Sequence, residues 1–304
     1  MRKNWTTLLF LFFFCIQARA DLKFNEGDRI LLYGNSFVER MQQNGFFEAA
    51  LQLAHPEKKI ELRSLAWTGD ELGYRLRPER YVNHLKKLLD RWSADYVILG
   101  FGLYESFAGL SGIEKFKTDL NGYLDEIKRR HPEAGIILLS PIATEDLNHP
   151  HYPDPARRNG EIKSYVNAMS SIAESRKIKL IDLFEFSKAQ YASNGKSLTE
   201  NGIHLNPYGH ELIADQLSRS ILGDRIYDGM DKKRIGSVAR AVSRKAQYVS
   251  TVVRPVNTVL YFGVRGRANE YNAEIPRYHE LIKRSDERIH AMVRDRTLNF
   301  NSSA

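Results

Sequence analysis

The chain has 304 residues, 42% of them hydrophobic and 27% charged, with a formal charge of +8 at neutral pH. That length suits one large domain or two small ones, and that composition excludes disorder as the organising state. The charge excess is too small to argue for nucleic acid, and no phosphate-cradling glycine loop followed by Lys-Ser/Thr supports nucleotide hydrolysis.

The first twenty residues stand apart. Arg2 and Lys3 form a positive start, Leu8 to Phe14 an apolar core, and Ala18-Arg19-Ala20 a small-residue cleavage site. This layout predicts a signal peptide over 1–20 and export to the periplasm or beyond, the apolar run being too short to span a bilayer. The single cysteine, Cys15, falls inside the leader, so the mature chain is expected to hold no disulfide and no thiolate nucleophile or metal ligand. Without Arg2, Lys3 and Arg19 the formal charge drops from +8 to +5. Much of that excess falls late in the chain and suits acidic glycans or envelope surfaces. No other stretch reads as a transmembrane helix.

From Asp28 onward, short apolar runs alternate with amphipathic stretches. The runs are Ile30 to Tyr33, Ile60 to Ala66, Tyr96 to Phe101, Gly135 to Ser140 and Ile178 to Leu183, each rich in Ile, Leu and Val. Such runs suit strands covered on both faces. Helices are expected over 37–54, 80–92, 113–131 and 159–176, with a last one after Pro207 striped by Leu212, Ile213, Leu217 and Ile221. Repeated β-α units with right-handed crossovers make a three-layer α/β/α sandwich with a five-stranded parallel sheet. In such a sheet the reactive groups gather at the carboxyl ends of the strands. The turns after Tyr33, Ala66 and Phe101 therefore belong to one crevice. The irregular Asn148 to Pro155, following the fourth strand, should overhang it.

Four short segments carry the candidate chemistry. Gly34-Asn35-Ser36 places a serine at the start of a helix, where the dipole favours developing negative charge, although serine is also a common N-cap. Asn201-Gly-Ile-His204 places a histidine on a glycine-bearing loop before the last helix, suited to act as general base. Trp67-Thr68-Gly69-Asp70 and Gly100-Phe101-Gly102-Leu103-Tyr104-Glu105 are glycine turns at strand ends that expose the backbone N–H groups an oxyanion hole needs.

In this order the four segments resemble the SGNH (GDSL-like) hydrolase family over roughly Asp28 to Leu222, which implies a flavodoxin-like sheet order and a serine esterase. The resemblance implies Ser36 as nucleophile and His204 as base, with the N–H groups of Ser36 and Gly69 as oxyanion donors. Three positions depart from the family pattern. Asn35 replaces a supportive aspartate. Tyr104 stands where an asparagine donates to the oxyanion. Asn201 stands where an acid orients the histidine, and the adjacent Glu200 is a candidate substitute. Trp67, Tyr104 and Glu105 are the candidate substrate-contacting residues. The implied substrates are O-acetylated carbohydrates or small acyl esters, with neither cofactor nor metal. A catalytically silent carbohydrate-binding protein, stacking sugars on Tyr104 and Trp67, is the rival reading, and acyl transfer to a glycan hydroxyl is a third.

The pattern changes after Gly223. Asp231 to Arg254 is helical and rich in Arg and Lys, Val259 to Phe262 is apolar, and a charged helix is expected over 278–296. Residues 224–304 read as an extension braced on the 21–223 domain, similar to one found on exported SGNH proteins of the planctomycete and verrucomicrobial kind. His149 and His151, two residues apart with Asp154 nearby, have no evident third and fourth ligand converging on them for a metal.

Overall fold

A computed structural model describes residues 22–72, 88–254 and 274–295. The expected leader, the apolar run 259–262 and most of the helix expected over 80–92 lie outside them. Residues 88–91 are helical.

The five strands are β1 (Arg29–Gly34), β2 (Glu61–Ser64), β3 (Tyr96–Gly100), β4 (Gly135–Leu139) and β5 (Lys179–Ile181), all parallel in the order β2-β1-β3-β4-β5. This is the flavodoxin-like order, whose ligand crevice opens at the strands' carboxyl ends. Alternation along the strands splits the core into two layers. Leu31, Val97, Leu99 and Leu138 face α3 (Ile113–Arg130) and α4 (Pro155–Arg176), meeting Phe116, Leu120, Tyr165 and Met169. Ile30, Leu32, Ile98 and Leu139 face the other way, onto α1 (Ser36–Asn44), α2 (Phe46–Ala54) and α6 (Pro207–Leu222), meeting Val38, Phe47, Ile213 and Leu217. α5 (Leu183–Ser193) and α7 (Asp224–Asp228) complete this part.

Several expected elements differ in extent, two of them for clear local reasons. The helix read over 37–54 is broken at Gly45, whose φ of 75° caps α1 and starts α2. A Cβ there would lie 2.5 Å from the carbonyl oxygen of Ala239, so the later chain packs directly against the break. The helix read from 159 begins at Pro155, because Asp154 accepts from Ala156 N–H at 3.0 Å and caps it.

The segment after Gly223 is helical, as α8 (Lys232–Val253) and α9 (Glu274–Arg294). Both lie against α2 and against the edge strand β2. Ile235, Val238 and Val242 of α8, with Ile289 and Met292 of α9, close over Ala49 and Ala50. Val249, Val252 and Ile282 join the core beneath the sheet. His290 Nε2 lies 3.1 Å from the carbonyl of Ile60. The exposed edge that a parallel sheet otherwise presents is thus covered.

A buried ionic network ties the two parts together. Arg63 of β2 donates to Asp286 of α9 at 2.5 Å, and Lys245 of α8 reaches Asp286 at 2.9 Å and also Glu48 of α2. Burial opposes charging Asp286, yet Lys245 and Arg63 outweigh it and hold its carboxyl below the usual range. No helix among the described residues is long and apolar enough to cross a membrane.

Candidate active site

The end of β1 is built for close approach. A Cβ on Gly34 would meet the carbonyl oxygen of Gly100 at 2.5 Å, so only glycine lets β1 and β3 converge here. Asn35 then caps α1, its Oδ1 accepting from Phe37 N–H at 3.1 Å. The capping role therefore falls on Asn35, leaving Ser36 as the first helical residue with its hydroxyl uncommitted to the cap. Ser36 is 1% exposed.

Two groups converge on Ser36 Oγ. Gly69 N–H donates to it at 2.8 Å, from a turn in which Gly69 adopts φ 65°. The hydroxyl of Tyr104 lies 2.7 Å away. On the far side of the same phenol, His204 Nε2 lies at 3.2 Å. The serine and histidine read from the sequence are thus brought to one site, with Tyr104 between them. Expected at an oxyanion or stacking position, Tyr104 instead bridges the two.

The loop holding His204 is fastened from below. Glu145, on the loop that follows β4, accepts from Leu198 N–H at 3.0 Å, from Thr199 N–H at 2.7 Å and from Ser197 Oγ at 3.0 Å. Gly202, at φ 80°, backs onto Glu145, where a Cβ would meet the carbonyl oxygen at 2.9 Å. Asn201 Oδ1 accepts from the backbone N–H of His204 at 2.9 Å and of Ile203 at 3.3 Å, and its Nδ2 faces His204 Nδ1 at 3.1 Å. Glu200, considered as a substitute orienting acid, is turned to Arg40 at 3.1 Å. Burial chiefly, then the nearby Arg40, lowers the pKa of His204, against a smaller opposing pull from Glu200.

The surrounding turns are braced as well. Trp67 N–H donates to the Gly34 carbonyl at 2.9 Å, which fixes its turn to the end of β1. Glu39 of α1 accepts from the hydroxyl of Thr68, beside Gly69, and is itself held by Arg254, the C-cap of α8, at 2.5 Å. Glu105, expected against substrate, accepts from Leu72 N–H and Gly102 N–H, both at 2.8 Å, so its carboxyl ties two turns together. Burial raises its pKa to about 7, the N–H donors opposing. Beyond Tyr104 the chain forms a 3-10 segment, Glu105–Gly112, that leaves Phe107 and Leu110 exposed on the lip, with the Arg158 guanidinium 3.9 Å from the Phe107 ring centre.

Sequence reasoning missed Glu145, Glu39 and Arg254. An acid in the loop that follows a strand is a weak signal for the first. The other two are visible only once α8 is docked. Within the irregular Asn148 to Pro155, His149 stacks on Tyr152; it is Glu145, before that segment, that reaches the His204 loop. Among the described residues no group of three His, Cys, Asp or Glu is placed to hold a metal ion.

Residues 32–212 match the model of a family described as GDSL-like lipases and acylhydrolases. A GDSL esterase/lipase of Arabidopsis thaliana is 24% identical over 209 residues, covering 64% of this chain and 85% of that one. Among solved structures, the acetylxylan esterase Axe2 of Geobacillus stearothermophilus aligns with a TM-score of 0.50 at 18% identity, over 66% of this chain and 96% of its own. The acetyl xylan esterase AlAXEase aligns with a TM-score of 0.50 at 19% identity, over 64% of this chain and 99% of its own. At these identities the structural likeness speaks for the fold alone.

Proposed function

The chain belongs to the GDSL-like lipase/acylhydrolase family and is an ester hydrolase of the SGNH type, and from that premise we propose that it works as a serine esterase through Ser36 and His204. The observation that carries the proposal is the continuous hydrogen-bonded line from Ser36 Oγ through Tyr104 to His204 Nε2, with Gly69 N–H aimed at the same oxygen. Ser36 Oγ attacks the acyl carbon and its proton passes toward His204. The alcohol leaves with a proton, and water releases the acyl group from Ser36 by the reverse sequence. The N–H of Gly69 is close enough to Oγ to reach the oxyanion formed on the attacked carbon, and the N–H of Ser36 at the first turn of α1 is its natural companion.

The proposed substrates are O-acetylated carbohydrates or small acyl esters. Two of the similar structures are acetylxylan esterases, and catalytic mutants of Axe2 alter a serine and an aspartate. Export by an N-terminal leader is part of the same proposal, resting on Arg2-Lys3, the apolar Leu8 to Phe14 and Ala18-Arg19-Ala20.

A carbohydrate-binding role without turnover is favoured by one observation, the insertion of Tyr104 between serine and histidine. A fluorophosphonate probe separates the readings. Labelling of Ser36 with turnover of p-nitrophenyl acetate supports the esterase, and sugar binding without labelling supports the rival.

A further inference from the structure

The amide of Asn201 has a definite orientation, because both atoms that approach its Oδ1 are backbone N–H donors, from His204 at 2.9 Å and Ile203 at 3.3 Å. Only the carbonyl end can accept them. The end facing His204 Nδ1 at 3.1 Å is therefore the NH2 group. An NH2 group donates and does not accept, so Nδ1 must be bare. Neutral imidazole then carries its proton on Nε2. From there the donors run outward, Nε2–H to the Tyr104 oxygen at 3.2 Å and the phenol O–H to Ser36 Oγ at 2.7 Å. Gly69 N–H donates to the same oxygen at 2.8 Å. The chain points at Ser36, opposite to the direction that removes its proton.

We propose that Tyr104 is a catalytic proton carrier between Ser36 and His204, and that Asn201 is a positioning residue whose amide sets the direction of that chain, holding the native site in its slow, serine-directed state. This rests on the esterase reading above. In the productive direction the Ser36 O–H donates to Tyr104 Oη and the phenol O–H donates to a bare Nε2. As Oγ bonds to the acyl carbon, the serine proton moves to Oη while the phenolic proton moves to Nε2. The phenol ends neutral, and the positive charge rests on the imidazolium. When the alcohol leaves, Nε2 returns its proton to Oη while the phenol passes one to the leaving oxygen. Reaching this direction in the native chain requires the Asn201 amide to turn over, forfeiting both backbone bonds. A carboxylate at that position has no such conflict. One oxygen keeps the backbone N–H groups, and the other accepts Nδ1–H and balances the imidazolium.

The test compares the native chain with Asn201→Asp, Tyr104→Phe, the double variant and Ser36→Ala. Readouts are p-nitrophenyl acetate turnover, the rate of fluorophosphonate labelling, and the ¹⁵N chemical shifts of the His204 ring. We expect Asn201→Asp to raise kcat by about 10²- to 10⁴-fold, the converse change in a well-studied serine triad costing about 10⁴. The ring proton should move from Nε2 to Nδ1, and labelling should accelerate in parallel. Tyr104→Phe in that background should abolish the gain while leaving the ¹⁵N signature of the carboxylate variant in place. The proposal is overturned by an Asn201→Asp variant that is no faster, by a native His204 protonated on Nδ1, or by a double variant as fast as Asn201→Asp. Turnover that survives Ser36→Ala instead removes the esterase reading itself, a separate result.

Discussion

Replacing Lys245 by methionine removes one charge from a buried quartet in which two cations and two anions balance. Lys245 is fully buried, as is Glu48, while Asp286 and Arg63 are 6% and 7% exposed. Methionine keeps most of the volume, so the change is electrostatic. It strands Glu48 and leaves Arg63 alone facing two carboxylates. Removing one partner of a buried ion pair costs about 3–5 kcal/mol, because the remaining charge is left desolvated. For a chain of this size each kcal/mol moves Tm by roughly 2–4 °C, so the variant should melt about 6–20 °C lower. Adding Glu48→Gln restores neutrality and should recover more than half of the loss. Urea unfolding followed by tryptophan fluorescence reads both variants. Because Lys245 and Asp286 come from the extension and Glu48 and Arg63 from the sheet domain, a single cooperative transition is expected in each. A single variant losing less than about 1 kcal/mol, or a double variant no more stable than the single, refutes the reasoning.

Other consequences bear on the site. Arg40→Gln removes a cation that lowers the His204 pKa, so the acid limb of kcat/KM should move to higher pH, and an unmoved limb contradicts the assignment. Arg254→Ala frees Glu39 and loosens the Thr68-Gly69 turn without touching the serine. We expect kcat to fall about 10-fold with KM little changed, by misplacement of the Gly69 donor, as steady-state kinetics will show. Buried His210, stacked on Phe37 and with no hydrogen-bond partner for either ring nitrogen among the described residues, has its pKa lowered from 6.5 to about 4, chiefly by burial. A depressed histidine stabilises the fold above its unfolded value, and that contribution is lost as the pH falls toward the folded one. Chemical denaturation of His210→Phe between pH 6.5 and 4 should show up to about 3 kcal/mol less acid destabilisation than the native chain.

The sheet was legible because β1, β3 and β4 are short, branched, apolar runs buried almost throughout, and the helices because α3 and α6 carry stripes at helical spacing. The break at Gly45 was not read, although a glycine there caps the helix locally; what sequence could not show is that Ala239, from far along the chain, leaves no room for a Cβ. Lys245 reads in sequence as one more charge on a basic helix. Its partners Glu48 and Asp286 belong to other helices, and only their meeting makes it a core residue. At the site, local turn chemistry picked out the segments that hold Ser36, Gly69 and His204, at strand ends and before the last helix, and the family resemblance supplied their expected roles. The role of Tyr104 was not, because donor or bridge is decided by where a long side chain finds room between two others. The direction of the Asn201 amide was also out of reach, being set by two backbone N–H groups whose positions follow from the loop's shape.

The central claim is that Ser36 and His204 hydrolyse esters together. Turnover of p-nitrophenyl acetate by the chain lacking residues 1–20, beside Ser36→Ala and His204→Ala, tests it most directly. We expect measurable hydrolysis in the parent, with fluorophosphonate labelling at Ser36, and loss of both turnover and labelling when Ser36 becomes alanine. His204→Ala should reduce turnover by at least about 10²-fold. Equal turnover in all three proteins, or none in the parent together with an unlabelled Ser36, contradicts it.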